Sequence, residues 1–408
     1  MKVVCAIDSM KGSLTSLQCG EAAAEGIKKV YPDADIVVRP LADGGEGTVD
    51  ALVAGMNGRL EHVEVTGPHG RPVVCPYGII EGDAKPQADD ASSQAGDASD
   101  KADGAKVLTG ATAVIEMSGA AGITMVSGEE KNPMNTTTYG VGEVIRDAIQ
   151  KGCRRFIVGI GGSATNDGGV GMLQALGFGF LDKDGNQVAF GAKGLKDIES
   201  IDDSGVLKEL KDCEFQIACD VTNPLCGEQG CSAIFGPQKG ADAAMVMQMD
   251  KWLAYYASLA REKYPDTDPK FPGSGAAGGL GFAFRTFLHG KLESGISIVL
   301  RETKLADYVK DADVVITGEG RLDGQTAFGK APVGVAELAK KFDRTVLAFA
   351  GSVTKDANAC NDAGIDAFFP ILRGVVTLAE AMDVENAKAN MAAATEQAFR
   401  LMKACGKH

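Results

Sequence analysis

Short β-branched runs alternate with segments of helical periodicity at both ends of the chain. Near the amino end, apolar runs at 3–7 and 36–41 flank a segment whose apolar residues recur at helical spacing. Toward the carboxyl end, runs at 313–317, 345–350 and 367–372 are each followed by a helical segment. This order of elements predicts βαβ units, which build parallel sheets covered by helices on both faces.

The five predicted strands indicate one sheet to which both ends of the chain contribute. Two strands, or even three, make a small sheet, whereas five make an ordinary doubly wound sheet. We therefore predict an α/β fold, with a Rossmann-like doubly wound parallel sheet domain into which a second α/β domain is inserted. The first domain is discontinuous, at 1–63 and 295–408, and the inserted domain covers 64–294 with strands at 156–160 and 215–218. An active site is expected between the two domains, where pockets commonly form.

A low-complexity segment interrupts the inserted domain at residues 83–106. It contains six Asp and three Lys but no aromatic residue, Ile, Leu or Val. Such a composition cannot bury enough apolar surface to fold. Because strand-like segments at 71–80 and 112–117 flank it, we predict a disordered acidic insertion at the tip of a hairpin.

The charge balance excludes several classes of partner. The 408 residues carry a formal net charge of −14, whereas nucleic acids and anionic membranes require a basic surface. The amino end contains neither a membrane span nor the apolar core of a signal peptide, which favours a cytoplasmic location. An anionic substrate would then need local positive charge or a divalent cation. The sequence leaves homo-oligomerisation open.

Glycine-rich stretches supply the main functional signal. Each follows, or lies close to, a predicted strand, and four of the five combine Gly with Asp or Glu. In open α/β sheets, ligands bind at the carboxyl ends of the strands. The stretches are 8–13, 42–48, 159–169, 272–281 and 317–326.

The third stretch has the order of a phosphate-binding turn, because it connects an apolar run to an apolar helical segment. Backbone amides near Gly161, Gly162 and Ser163 are placed to surround phosphate oxygens. Asn166 and Asp167 add oxygen ligands that suit Mg²⁺. A tight packing turn between strand and helix is the alternative.

Charged residues in the other stretches match the needs of phosphoryl transfer. Such an enzyme positions its reactants, neutralises negative charge with cations and Mg²⁺, and provides one base for the attacking hydroxyl. The candidate cations are Lys11 and Arg321, and the candidate carboxylates are Asp8, Asp43, Glu46, Glu319 and Asp323.

A dinucleotide fingerprint offers a competing hypothesis. Gly159, Gly161 and Ala164 fit the tolerated form of G-x-G-x-x-G, and Asp182 lies near the distance expected of a ribose-binding carboxylate. An NAD-dependent oxidoreductase of a small hydroxy acid is therefore one alternative, and a non-catalytic small-anion binding protein is another.

At these stretches the chain resembles the type-1 glycerate kinase family along essentially its whole length. The similar blocks, in chain order, are DSMKGSL, LADGGEGTVDA, IGGSATNDGG, CDVTNPLCG, FGPQKGA, GAAGGLG and TGEGRLDGQT. The resemblance implies ATP-dependent phosphorylation of a hydroxyl of D-glycerate, with Mg²⁺ as cofactor and with 2-phosphoglycerate favoured over 3-phosphoglycerate as product. It also implies the inserted-domain arrangement described above.

The resemblance also identifies polar motif positions, to which we assign roles. They include Ser9, Glu46 and Asn223 in addition to the residues assigned below. We assign catalysis to Asp8, Lys11, Asp43, Glu319, Arg321 and Asp323. We assign nucleotide binding to Gly161, Gly162, Ser163 and Asn166, and metal binding to Asp167 and Asp220.

Overall fold

The computed structural model describes residues 1–81 and 110–406, and the predicted disordered insertion at 83–106 lies outside these residues. The strands are β1 Lys2–Cys5, β2 Asp35–Val38, β3 Arg59–Thr66, β4 Pro72–Ile80, β5 Ala111–Glu116, β6 Cys153–Gly159, β7 Gly179–Leu181, β8 Ser200–Asp202, β9 Glu214–Ala218, β10 Lys291–Glu293, β11 Val314–Leu322, β12 Thr345–Val353 and β13 Ala367–Pro370. The helices are α1 Ser16–Lys28, α2 Thr48–Gly55, α3 Ser118–Ala121, α4 Tyr139–Gln150, α5 Val170–Ala175, α6 Cys231–Phe235, α7 Ala243–Lys263, α8 Ala276–Phe287, α9 Gly295–Glu302, α10 Leu305–Val309, α11 Ala331–Lys340, α12 Ala359–Asp362, α13 Leu378–Met382 and α14 Val384–Ala404. Short 3-10 helices occur at Ile123–Met125, Gly128–Glu130, Ala192–Asp197, Lys208–Asp212, Pro237–Lys239 and Thr326–Phe328.

Five parallel strands from the two ends of the chain form one sheet, in the order β13-β12-β11-β1-β2. This pairing confirms the predicted sheet. The strand order reverses between β1 and β11, since β2 lies beyond β1 whereas β12 and β13 lie beyond β11. A reversal of this kind leaves a crevice at the carboxyl ends of the two central strands.

Helices cover both faces of this first sheet, because successive side chains along a strand point to opposite faces. In β1, Val3 and Cys5 are buried in a core that also contains residues of α1 and α14. Val4, between them, belongs to the opposite core, which includes Ile296 of α9 and Val333 of α11. The predicted doubly wound α/β fold is therefore confirmed.

A second, six-stranded sheet has the order β10-β9-β6-β5-β4-β3. The four strands from β10 to β5 are parallel, and β4 pairs antiparallel with both β3 and β5. Val114 and Ile157 of this sheet share a core with α2 and α9 beside the first sheet. The division at 63/64 and 294/295 stays a prediction. Because β3 pairs with β4 from Arg59 onward, we propose that the first boundary falls a few residues earlier.

The two longest helices, α7 and α14, each span 21 residues. The α14 helix begins where the Asp383 side chain accepts a hydrogen bond from the Asn386 N–H (2.9 Å). Ala387, Met391 and Phe399 of this helix are buried, at helical spacing, in the core that contains α1. In the described part of the chain, no helix is both long enough and apolar enough to cross a membrane.

Deletion of residues 83–106 is expected to change catalytic efficiency by no more than about threefold, because closing a short surface loop costs little free energy. The flanking strands β4 and β5 are antiparallel neighbours, with Ile80 paired to Thr112, so residues 81, 82 and 107–110 can close the hairpin. Steady-state kinetics on both proteins, with melting temperatures as a folding control, provide the measurement. A loss beyond tenfold in a folded deletion variant would contradict this expectation.

Candidate active site

The candidate site begins where the strand order of the first sheet reverses. Asp8 follows β1, and its backbone N–H donates to the carbonyl oxygen of Gly318 in β11 (2.9 Å). Glu319 is the next residue of β11, which extends beyond the end of β1, so the two side chains lie on neighbouring segments of backbone. The structure thus brings together two carboxylates that are far apart in the sequence.

The strand β11 is longer than the sequence indicated. The prediction of a strand at 313–317 followed by a loop at 317–326 is wrong in its boundary, because β11 continues to Leu322. The neighbouring strand β12 is the cause, since it pairs Glu319 with Ala350 and Arg321 with Ser352. Glu319 and Arg321 therefore project from the same face of a strand.

The loop between β2 and α2 joins the two sheets. Gly44 has φ +88°, and a Cβ atom on it would lie 2.6 Å from the Cβ of Ala218, at the end of β9. Only glycine combines this backbone conformation with such a close approach. The neighbouring Asp43 carboxylate accepts a hydrogen bond from the Gly45 N–H (3.0 Å). Asp43 is thereby held between the carboxyl ends of both sheets.

A cleft of about 720 Å³ lies where these carboxyl ends face each other. Its volume is in the usual range for small-molecule sites. The predicted site residues that line it are Lys11, Asp43, Glu46, Gly161, Gly162, Ser163 and Asp220. Ser9, Lys11 and Glu46 also line a neighbouring cavity of about 770 Å³. The predicted residues that line neither cavity are Asp8, Asn166, Asp167, Asn223, Glu319, Arg321 and Asp323.

Asp8, beside the cleft, has a strongly perturbed carboxyl group. The residue is 4% exposed, and burial, followed by the negative charge of Asp43, raises its pKa to about 7. The Ser9 N–H, which donates to Asp8 (2.6 Å), and the charge of Lys11 oppose this rise, while Glu319 adds to it. A carboxyl group with this pKa exchanges protons readily near neutral pH.

The residues after Gly318 form a second polar group. Glu319 accepts a hydrogen bond from the Thr326 hydroxyl (2.6 Å), and burial raises the pKa of its carboxyl. Asp323 accepts the N–H groups of Gln325 (3.0 Å) and Thr326 (3.2 Å), so its carboxylate caps the turn. Arg321 is 66% exposed, and its Nε lies 3.7 Å from Asp323 Oδ2. Its guanidinium is therefore largely available to a ligand.

The turn after β6 has free hydrogen-bond donors on the cleft wall. Gly161 and Gly162 are exposed, and Ser163 also lines the cleft. Within the described residues, the backbone N–H groups of these three residues donate to no protein acceptor. The next N–H, that of Ala164, donates to the Ala121 carbonyl (2.9 Å) and fixes the turn. This arrangement suits an anionic oxygen group.

Asn166 and Asp167 lie in the core behind this turn, at 0% and 1% exposure. The Asp167 carboxylate accepts the N–H and the hydroxyl of Thr138 (both 2.8 Å) and the N–H of Gly169 (3.1 Å). The Asn166 amide donates to the Ser232 hydroxyl (2.8 Å). Because both side chains are buried behind the cleft wall, we propose that they organise the loop in place of the predicted nucleotide and metal roles.

Asp220 and Asn223 follow β9 on the opposite part of the wall. Asp220 lines the cleft and accepts the Gly295 N–H (3.0 Å). Partial loss of water, and then the charge of Asp43, raise the pKa of its carboxyl. The Asn223 amide donates to the Gln229 carbonyl (2.9 Å) and so shapes the loop.

Two charged residues of the cleft, Glu116 and Lys239, were not predicted as site residues. Glu116, at the end of β5, accepts the N–H of Val49 in α2 (2.9 Å) and ties the two sheets together. Lys239 donates to the Ser163 hydroxyl (2.8 Å) and to the Thr165 carbonyl (2.6 Å). Lys239 lies in the FGPQKGA block, which was recognised as a similarity, but the block has no strand or carboxylate to indicate a site.

The carboxylates that line the cleft are of the residue type that holds Mg²⁺ in proteins. Within the described residues, no group of three or more His, Cys, Asp or Glu side chains is arranged to hold a metal. Mg²⁺ in phosphoryl-transfer sites commonly uses one or two carboxylates, with phosphate oxygens and water completing its octahedron. Asp43 and Asp220 both line the cleft, and the negative charge of Asp43 helps to raise the pKa of the Asp220 carboxyl. We propose this pair for that role.

The acidic residue of the alternative NAD hypothesis is in the wrong place. Asp182 follows β7, and its carboxylate accepts the N–H groups of Asp184 and Asn186 (both 2.9 Å). These bonds close a local turn, and Asp182 is not among the residues that line the cleft. The dinucleotide fingerprint therefore lacks its ribose-binding carboxylate.

The chain is similar to known proteins over almost its entire length. The model of the glycerate kinase family matches residues 3–403. Glycerate 2-kinase of Escherichia coli K12 is 44% identical over 381 residues, which are 93% of each chain. Glycerate kinase of Bacillus subtilis 168 is 45% identical over 383 residues, covering 94% of this chain and 93% of that protein. A crystal structure from Salmonella typhimurium LT2, provisionally named glycerate kinase 2, has a TM-score of 0.86 at 42% identity and covers 100% of both chains.

Proposed function

The chain belongs to the glycerate kinase family, and from this premise we propose that it transfers the terminal phosphoryl group of ATP to a hydroxyl of D-glycerate. The observation that carries the proposal is the arrangement of the cleft. Carboxylates from the first sheet face a turn with free N–H donors from the second, as Asp43 and Gly161 illustrate. The first sheet supplies the candidate base, Asp43 and Asp220 from the two sheets can hold a metal ion, and the turn after β6 is suited to an anion.

Asp8 is our candidate for the general base. Its pKa of about 7 allows it to be deprotonated in resting enzyme and to accept the hydroxyl proton of glycerate during attack. Lys11, whose charge stabilises the Asp8 carboxylate, lines both cavities and can approach phosphate oxygens. The negative charge of Glu319 adds to the rise in the pKa of Asp8 and so makes the Asp8 carboxylate a stronger base.

Asp43 and Asp220 are our candidates for holding the Mg²⁺ of the nucleotide. When bound, the ion would neutralise charge on the phosphate oxygens. The free N–H groups of Gly161 and Gly162 and the hydroxyl of Ser163 support binding of an anionic group on the facing wall. Both reactants would then meet at the carboxyl ends of the two sheets.

We propose 2-phosphoglycerate as the product and the cytoplasm as the location. The name of the Escherichia coli relative, glycerate 2-kinase, supports the first proposal. The net charge of −14 is compatible with the second, and it disfavours nucleic acid as a partner.

The proposed function can be tested with an assay in which the release of ADP is coupled to a change in absorbance. We expect ADP formation that requires both D-glycerate and Mg²⁺, with phosphorus NMR showing the phosphate on the C2 oxygen. Glycerate-dependent reduction of NAD in the absence of ATP would instead support the oxidoreductase alternative. Tight binding of D-glycerate without any turnover would favour a binding protein.

Replacement of Arg321 by lysine is expected to lower kcat/KM by about tenfold, or roughly 1.4 kcal/mol of transition-state stabilisation. The exposed guanidinium offers a planar pair of N–H donors to an anion, which an ammonium group cannot reproduce. Steady-state kinetics in both substrates provide the measurement, with the exposed Arg400→Lys substitution in α14 as control. If both variants behave like wild type, Arg321 is only a surface residue.

A further inference from the structure

Lys239 is a deeply buried cation beside the cleft. It ends the 3-10 helix Pro237–Lys239 and is 2% exposed, yet it contributes to the cleft lining. Within the described residues, its ammonium group contacts no carboxylate, and its hydrogen bonds go to Ser163 and Thr165. A buried charge without a counter-ion is costly. Among the residues that the structure describes, Lys239 therefore has no carboxylate in contact with it, and Asp167 acts on it only through its charge.

Within the described residues, the hydrogen bonds around Lys239 leave one ammonium donor and the Ser163 hydroxyl donor without a protein acceptor. An ammonium group has three N–H donors, and the Ser163 oxygen (2.8 Å) and the Thr165 carbonyl (2.6 Å) occupy two of them. Because Ser163 accepts from Lys239, its own hydroxyl proton is free to donate elsewhere. Ser163 lines the cleft next to the unpaired N–H groups of Gly161 and Gly162.

The charged surroundings of Lys239 favour an anionic ligand. Burial lowers the pKa of its ammonium group to about 8, so it is mostly protonated at neutral pH. The ionisable groups that act on it are Cys231, whose burial keeps it a neutral thiol, and Asp167. Asp167 uses its carboxylate for hydrogen bonds to its own loop and to Thr138. A ligand anion in the cleft can compensate the charge of Lys239.

We propose that Lys239 and Ser163, with the N–H groups of Gly161 and Gly162, bind an anionic oxygen group of a substrate. The inference rests on the proposed function and extends it with a residue that positions the reactants. Carboxylate and phosphate oxygens share the required chemistry, so the group is either the carboxylate of D-glycerate or a phosphate of ATP. Binding experiments distinguish these two sources.

Calorimetric titration of the Lys239→Met variant tests this proposal with matched charged and neutral ligands. We expect at least about tenfold weaker binding of either ADP or D-glycerate, equivalent to about 1.4 kcal/mol. Adenosine and the neutral amide of D-glycerate should bind as they do to wild type. The ligand whose affinity falls is the one that supplies the anionic group. Lys196→Met, which removes an exposed lysine from the same part of the chain, should leave every affinity unchanged.

A second variant keeps the test decisive if Lys239→Met does not fold. Ser163→Ala should weaken the same anionic ligand severalfold without affecting its neutral counterpart. Unchanged affinity in the folded variants, or an equal loss for charged and neutral ligands, would overturn the proposal. Wild-type turnover of ATP and D-glycerate is measured in parallel. If the wild-type protein shows no turnover but the variants selectively lose affinity for ADP, the proposed function is wrong and the anion site is still supported.

Discussion

Replacement of Asp8 by asparagine is expected to lower kcat by about 10²–10⁴-fold, because a positioned general base contributes on that scale. The asparagine retains the size and most contacts of the buried side chain but cannot accept the hydroxyl proton. In the wild type, kcat/KM should increase as the pH rises through about 7, since the base must be deprotonated. The variant should lose this increase. Stopped assays between pH 5 and 9 provide the measurement.

The stability of the same variant separates a catalytic role from a structural one. The pKa of Asp8 is raised in the folded protein to about 7, so between pH 4 and 7 the folded state binds more protons than the unfolded state. Wild-type stability should therefore fall as the pH rises through this window. Asp8→Asn should remove that slope and melt at a higher temperature than wild type at pH 8.

An exposed aspartate provides the control for these measurements. Asp33 lies in the turn before β2, away from the cleft, and Asp33→Asn should change kcat by less than about twofold. If Asp8→Asn retains most of the wild-type turnover, the base must be sought among the carboxylates that line the cleft, beginning with Asp43.

Replacement of Gly44 by alanine is expected to reduce both stability and activity, since the loop carries Asp43 to the junction of the sheets. The new Cβ would lie 2.6 Å from the Cβ of Ala218 and 2.7 Å from the Cα of Gly295, and the backbone has φ +88°. We expect a loss of about 2–4 kcal/mol in the free energy of unfolding from overpacking and backbone strain. A displaced Asp43 should also lower kcat/KM at least about tenfold. Chemical denaturation and steady-state kinetics measure the two effects.

Gly70 provides a matched control in the turn between β3 and β4. It has a similar φ of +76°, but a Cβ atom there would meet nothing within 4 Å. Gly70→Ala should therefore lower the free energy of unfolding only through backbone strain, by about 1–2 kcal/mol, and leave the kinetics unchanged. Equal losses in the two variants would contradict the proposed steric role of Gly44.

The sequence by itself determined the α/β class and the loops that carry the site. Local periodicity distinguishes strands from helices, so the runs at 3–7 and 345–350 were sufficient to predict β1 and β12. Glycine and acidic residues after such runs indicated Asp8 and Asp43, because the ends of parallel strands collect at one edge of a sheet. These patterns lie within short segments of the chain, so they can be recognised from neighbouring residues alone.

Only the tertiary structure decided which of these side chains reach the cleft. Asp167 and Ser163 belong to one glycine stretch, yet the first is buried in the core and the second lines the cleft. Lys239 bonds to Ser163 across 76 positions of the chain, and Asp8 meets Glu319 only because β1 and β11 are neighbours. Burial, electrostatic coupling and pKa depend on atoms brought close by folding. Residue type and spacing do not encode those distances, so the roles of the polar residues follow from long-range packing.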